Sequence, residues 1–177
     1  MILSLRNINK KLTQNKYIKY SIILILISIL NFSFINFFSI FNVTPDIFLI
    51  FVVWAAIKEG RLFGILAGFV IGLYLDFISG DIMGTNALTK TISGFIAAGF
   101  HKKDATRQIV NEWKFVFVVF ICAVVHNLIY SLFFIEISRH NYMLSYLRFG
   151  FASSFYTAFL SIFVYLYQLR PKSKYYS

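Results

Sequence analysis

Three observations predict an all-α integral membrane protein built as a six-span helical bundle. The chain of 177 residues is 59% hydrophobic and only 14% charged, with a mean hydropathy of +0.73. Its apolar residues gather into long runs, and a span needs about 20 of them. The basic residues fall between those runs, and glycines recur every four residues through the run that follows Gly60.

Residues 1–19 carry Arg6, Lys10, Lys11, Lys16 and Lys19 without an acid, and are expected to be a basic cytoplasmic tail. The following run, 20–41, is too long for a signal sequence and ends without a small-residue cleavage site, so it is expected to be a retained first span. Ser28, Asn31, Ser33 and Asn36 within it can hydrogen-bond to neighbouring helices.

A helix start comes next, with Thr44 as the expected N-cap, Pro45 at the first helical position and Asp46 in the first turn. Extended over 45–59, this second segment is roughly 22 Å long at 1.5 Å per residue, short for a full crossing. Lys58-Glu59-Gly60-Arg61 is a polar turn into the third segment, 62–79.

The third segment organises the reading of the bundle. Gly60, Gly64, Gly68, Gly72 and Asp76 fall on one stripe of a helix, because residues four apart share a face. Each interior glycine costs a soluble helix roughly 1 kcal/mol relative to alanine. In a bilayer the same stripe lets a second backbone come close.

A loop over 80–84 leads to the fourth segment, 85–100, whose Asn86, Lys90, Gly94 and Ala98 form a second small or polar stripe. A lysine near a helix centre costs about 2.5 to 3.5 kcal/mol on insertion scales, so this segment is expected to pair with the third. An antiparallel hairpin in which facing residue numbers sum to 166 sets Asp76 against Lys90, Gly72 against Gly94 and Gly68 against Ala98. Residues 101–114 read as a basic linker along the membrane surface, 115–135 as the fifth span and 147–169 as the sixth. Residues 20–169 thus make one membrane domain, and 170–177 a second basic tail.

Basic residues set the orientation. With the N-terminus in the cytoplasm, fourteen of the seventeen lie on the inside, only Arg139 and Arg148 lie outside, and Lys90 is intramembrane. Both termini are then cytoplasmic, as the positive-inside rule prefers. The same distribution argues against nucleic acid as the reason for the net charge of +10.

Intramembrane ionisable residues are functional candidates, here Asp76, Lys90 and His126. Cys122 and Tyr130 lie one turn from His126, but a Cys-His pair at that spacing without an orienting acid is a poor nucleophile. One cysteine and one intramembrane histidine give too few ligands for a metal, and no phosphate-binding loop or catalytic carboxylate pair is present. No cofactor or catalysis is expected.

Pro45-Asp46 before a short apolar run, a basic turn, a glycine-rich span, Leu75-Asp76-Phe77-Ile78-Ser79-Gly80 and Met83-Gly84-Thr85-Asn86-Ala87-Leu88 together resemble the rod-shape-determining membrane protein family MreD of bacteria. The resemblance is strongest over 45–101. It implies a noncatalytic scaffold of the inner-membrane elongation machinery that organises peptidoglycan synthesis, beside an MreC-like bitopic protein, an MreB-like filament and the wall synthases. It also implies a fold similar to the substrate-capture subunits of energy-coupling-factor transporters, which makes a small-molecule transporter subunit the alternative. On the scaffold reading, the outer-loop charges Asp81, Glu136, Arg139 and Arg148 are the candidates for partner binding.

Overall fold

The structure is a computed structural model that describes residues 18–29, 43–80, 82–101, 113–134 and 149–169. The described residues are all-helical. Helix α1 (Ile18–Ile29) belongs to a compact unit of its own, Met1–Phe38. The second unit, Ser39–Ser177, contains α2 (Ile47–Glu59), α3 (Arg61–Ser79), α4 (Thr85–Ala98), α5 (Lys114–Phe134) and α6 (Phe151–Leu169).

Two stretches, Arg61–Ser79 and Lys114–Phe133, are long and apolar enough to cross a membrane by length and composition. From α2 onward the helices agree closely with the segments expected from the sequence, whereas most of the expected first span beyond residue 29, both tails and most of the 101–114 linker lie outside the described residues. What differs at the start of α2 is the cap. Ile47 is the first helical residue and Asp46 is the N-cap, its Oδ1 accepting from the Leu49 N–H at 2.9 Å. Thr44 instead offers its carbonyl to the Ser153 hydroxyl.

The α2–α3 turn is made by Gly60, whose N–H bonds the Ala56 carbonyl and whose φ of 92° lies in the region that favours glycine. Gly60 is therefore a turn residue, which corrects its expected place in the helix-packing stripe. Helix α3 ends at Gly80 in a left-handed conformation, and Gly84 (φ 101°) precedes α4.

Helix α2 is the hub of the second unit, touching α3, α4, α5 and α6. It runs antiparallel to α3, since Ala56 meets Gly64, and parallel to α4, since Asp46 meets Lys90 and Val52 meets Gly94. Side chains of Leu49, Val53 and Ile57 form its core with Ala97 and Ala98 of α4 and with Phe115, Val118 and Cys122 of α5. Ala98 thus belongs to the α2–α5 core, contrary to its expected place opposite Gly68.

The glycines do bring α3 and α4 into backbone contact, but at another register. A Cβ on Gly64 would stand 2.8 Å from the Gly94 carbonyl oxygen, one on Gly68 would strike the Lys90 carbonyl, and one on Gly72 would strike the Asn86 carbonyl and the Ala87 backbone. Facing numbers sum to about 158 rather than 166, a slide of two helical turns along the stripe. The outer faces of α3 and α6 expose Leu62, Phe69, Phe77, Phe155, Phe159 and Phe163, suited to acyl chains.

Candidate functional site

The buried charges gather at one end of the unit, in two adjoining groups. The first is centred on Asp46. Its Oδ2 accepts from Lys90 Nζ at 2.6 Å and lies 3.5 Å from His126 Nε2, while its backbone N–H donates to Thr157 Oγ1 at 3.0 Å. Lys90 also donates to Asn86 Oδ1, 3.2 Å away and one turn back on α4. Asp46 thus ties the start of α2 to α4 through its side chain and to α6 through its backbone N–H, with His126 of α5 close beside the carboxylate.

Burial makes that arrangement demanding. Lys90 is 1% exposed and His126 5%. A lone ammonium there would be strongly disfavoured, whereas a carboxylate at hydrogen-bond distance and an amide oxygen satisfy it. His126 stacks on Tyr130 at 6.0 Å, and its Nδ1 is buried without a hydrogen-bond partner. Cys122 Sγ is directed to the Ser93 carbonyl at 3.5 Å, which connects α5 to α4 rather than to His126. Asn127 joins α5 to the start of α6 through Gly150 O and Ser154 Oγ.

The second group is Asp76. Its Oδ1 accepts from Asn86 N at 2.8 Å and from Thr85 Oγ1 at 3.3 Å; its Oδ2 accepts from Gly84 N and Ala87 N, each at 3.0 Å. Three of these donors are N–H groups at the start of α4, a helix with no side-chain cap of its own, while the Thr85 hydroxyl also lies 2.9 Å from the Ile82 carbonyl. A carboxylate from α3 caps α4 from outside, and favours the positive end of its dipole. This overturns the expected Asp76–Lys90 pair: Asp76 is occupied by backbone, and Lys90 has turned to Asp46.

Sequence reasoning brought Asp76, Lys90 and His126 forward but missed Asp46 and Asn86 as the partners of Lys90, and Thr157 as the acceptor for the Asp46 N–H. A signal for Asp46 was present: an acid at the mouth of a helix, with one carboxylate oxygen left over after capping. Of the partner-binding candidates, Asp81, Glu136, Arg139 and Arg148 lie outside the described residues.

What this arrangement offers is cohesion, since Asp46 ties α2 to α4 and α6, and Asp76 ties α3 to α4. Residues 14–170 match the family described as rod shape-determining protein MreD. The chain belongs to the MreD family. Searches of curated proteins and of solved structures each return no match, so the likeness to energy-coupling-factor subunits stays an expectation. As an MreD family member the chain is a membrane protein of the Mre shape-determining system, with a role in rod-shape determination. Within it, the stretch that carries the resemblance, from Pro45 to His101, holds Asp46, Asp76 and Lys90 and the whole α3–α4 contact.

Proposed function

We propose that this MreD family protein is a noncatalytic inner-membrane scaffold of the cell-elongation complex, which helps organise peptidoglycan synthesis. The observation that carries the reading is the family match over residues 14–170. The site supports it physically, because the Asp46 carboxylate ties α2 to α4, its backbone N–H ties α2 to α6, and the Asp76 carboxylate ties α3 to α4. A rigid bundle of that kind suits a platform for partner helices.

The bundle has six spans with both termini cytoplasmic, supported by fourteen inside basic residues against two outside. An MreC-like bitopic protein docks on the outer face, where Asp81, Glu136, Arg139 and Arg148 supply charge, and an MreB-like filament and wall synthases complete the assembly. An unbiased pull-down from native membranes tests this. Recovery of an MreC-like protein and wall synthases is expected, whereas recovery of an ATPase module would favour the transporter subunit.

A further inference from the structure

Two basic side chains converge on the single negative charge of Asp46. Its Oδ2 accepts from Lys90 Nζ at 2.6 Å and lies 3.5 Å from His126 Nε2, while its Oδ1 is taken by the Leu49 N–H. The His126 side chain is 7% exposed, and its other ring nitrogen, Nδ1, is buried without a hydrogen-bond partner. The ring therefore has a place for one proton, on Nε2 facing the carboxylate, and none for a second.

The other groups near the ring leave that balance in place. On α5 itself Tyr130 stacks on the imidazole, and Cys122, one turn back, is directed to the Ser93 carbonyl. Helix α4 brings Lys90 and the neutral Asn86, whose Oδ1 accepts from Lys90. Helix α6 meets Asp46 with the Thr157 hydroxyl, and Asp76 near the end of α3 is occupied by the first amides of α4. A proton added to His126 would set two cations on one carboxylate and bury an Nδ1–H that has no acceptor. Such a stranded charge is costly inside the unit, and the Asp46 side chain, 21% exposed, gives the proton a way in.

The geometry points to a proton-operated latch where α2, α4 and α5 meet: neutral His126 keeps it closed, and a protonated His126, competing with Lys90 for the Asp46 carboxylate, opens it. The opened form takes up a proton that the closed form excludes. The latch is therefore firm above the ordinary histidine pKa of about 6.5 and weakens as pH falls below it. This goes beyond the scaffold reading and depends on no partner and no orientation in the membrane.

Titration of the full chain with SDS in mixed micelles, at pH 8 and at pH 5.5, reads the effect. His126→Gln is the reference, because its side chain stays neutral and any pH dependence it shares with the unmodified chain belongs to other groups. Relative to that reference, acidification should move the unfolding equilibrium of the unmodified chain about tenfold toward the open form. In Lys90→Met the carboxylate is left to His126 alone, so the same acidification should weaken the fold clearly less than in the unmodified chain. Equal pH dependence in the unmodified chain and His126→Gln, or equal weakening of the unmodified chain and Lys90→Met, overturns the inference. Should either variant fail to fold, spectra of the unmodified chain labelled with ¹⁵N-histidine decide. One ring of the folded chain should remain neutral and protonated at Nε2 at pH 5.5, distinct from His101, whose Nδ1 faces the Ile57 carbonyl. Absence of that tautomer overturns the inference equally.

Discussion

Lys90 Nζ lies 2.6 Å from Asp46 Oδ2, although 44 residues separate them in the chain. The bond connects the mouth of α2 to the second turn of α4; the Lys90 side chain is 1% exposed and that of Asp46 21%, so Lys90 is the charge that depends on the pair. Breaking a buried pair from one side leaves an uncompensated charge and costs about 3 to 5 kcal/mol. Lys90→Met is therefore expected to lower the thermal midpoint of the detergent-solubilised protein sharply.

The same pair gives a double-mutant test. Asp46→Asn retains an oxygen to cap α2 at Leu49 but removes the charge that Lys90 needs. Combining it with Lys90→Met should cost clearly less than the two single losses added, because neither charge is then stranded. Exchanging Asp76 with Lys90 should restore nothing, since those two residues are not partners. A fully additive double mutant, or a rescue by that exchange, would contradict the structure.

Asp76 should behave differently. Its carboxylate receives three backbone N–H groups at the start of α4, so Asp76→Ala strands three donors at once, while the Thr85 hydroxyl keeps the Ile82 carbonyl. A loss of about 3 kcal/mol or more is expected, with Asp76→Asn near half of it, because one amide oxygen still caps. Hydrogen exchange is the discriminating measurement: the Asn86 and Ala87 amides should open in Asp76→Ala and stay protected in Lys90→Met. Equal protection in both variants would refute the capping role.

How far the sequence reached is clear from particular residues. Segments 62–79 and 115–135 come within a residue or so of α3 and α5, because hydrophobic length is a strong signal. The four-residue glycine spacing correctly announced close backbones. It could not set their offset, for a stripe repeating every four residues looks the same after a slide of one or two turns. Gly68 faces Lys90 rather than Ala98 for that reason. Asp46 was legible as a helix-start residue, but its second role depends on α4 lying parallel to α2, a long-range fact that no local spacing contains.

The proposed topology places Ile82 outside and Asp104 in the cytoplasm. Single cysteines at these positions, in a chain whose Cys122 is replaced by alanine, should react with membrane-impermeant maleimide from opposite sides. Cys122 is wholly buried and small, so the replacement is mild. Labelling of position 82 from the cytoplasmic side, or of 104 from outside, would reverse the orientation.

The glycines of α3 give a contrast that depends on what each one faces. An added methyl at Gly64 would come 2.6 Å from the Ala56 Cβ and 2.8 Å from the Gly94 carbonyl, so one of its obstacles is a side chain that can be removed. At Gly72 the nearest obstacles are the Ala87 backbone and the Asn86 carbonyl, and at Gly80 nothing lies within 4 Å. Overpacking a close contact costs typically 1 to 3 kcal/mol, more where backbone must move. Gly72→Ala is thus expected near or above ~3 kcal/mol, while Gly80→Ala carries only the ~1 kcal/mol strain of its left-handed φ. Adding Ala56→Gly should recover part of the loss in Gly64→Ala. Adding Ala87→Gly to Gly72→Ala should recover none, because its removed methyl is not the obstruction. Unfolding midpoints of the five variants measure this, and rescue at Gly72 by Ala87→Gly would mean that the α3–α4 register is not the one described.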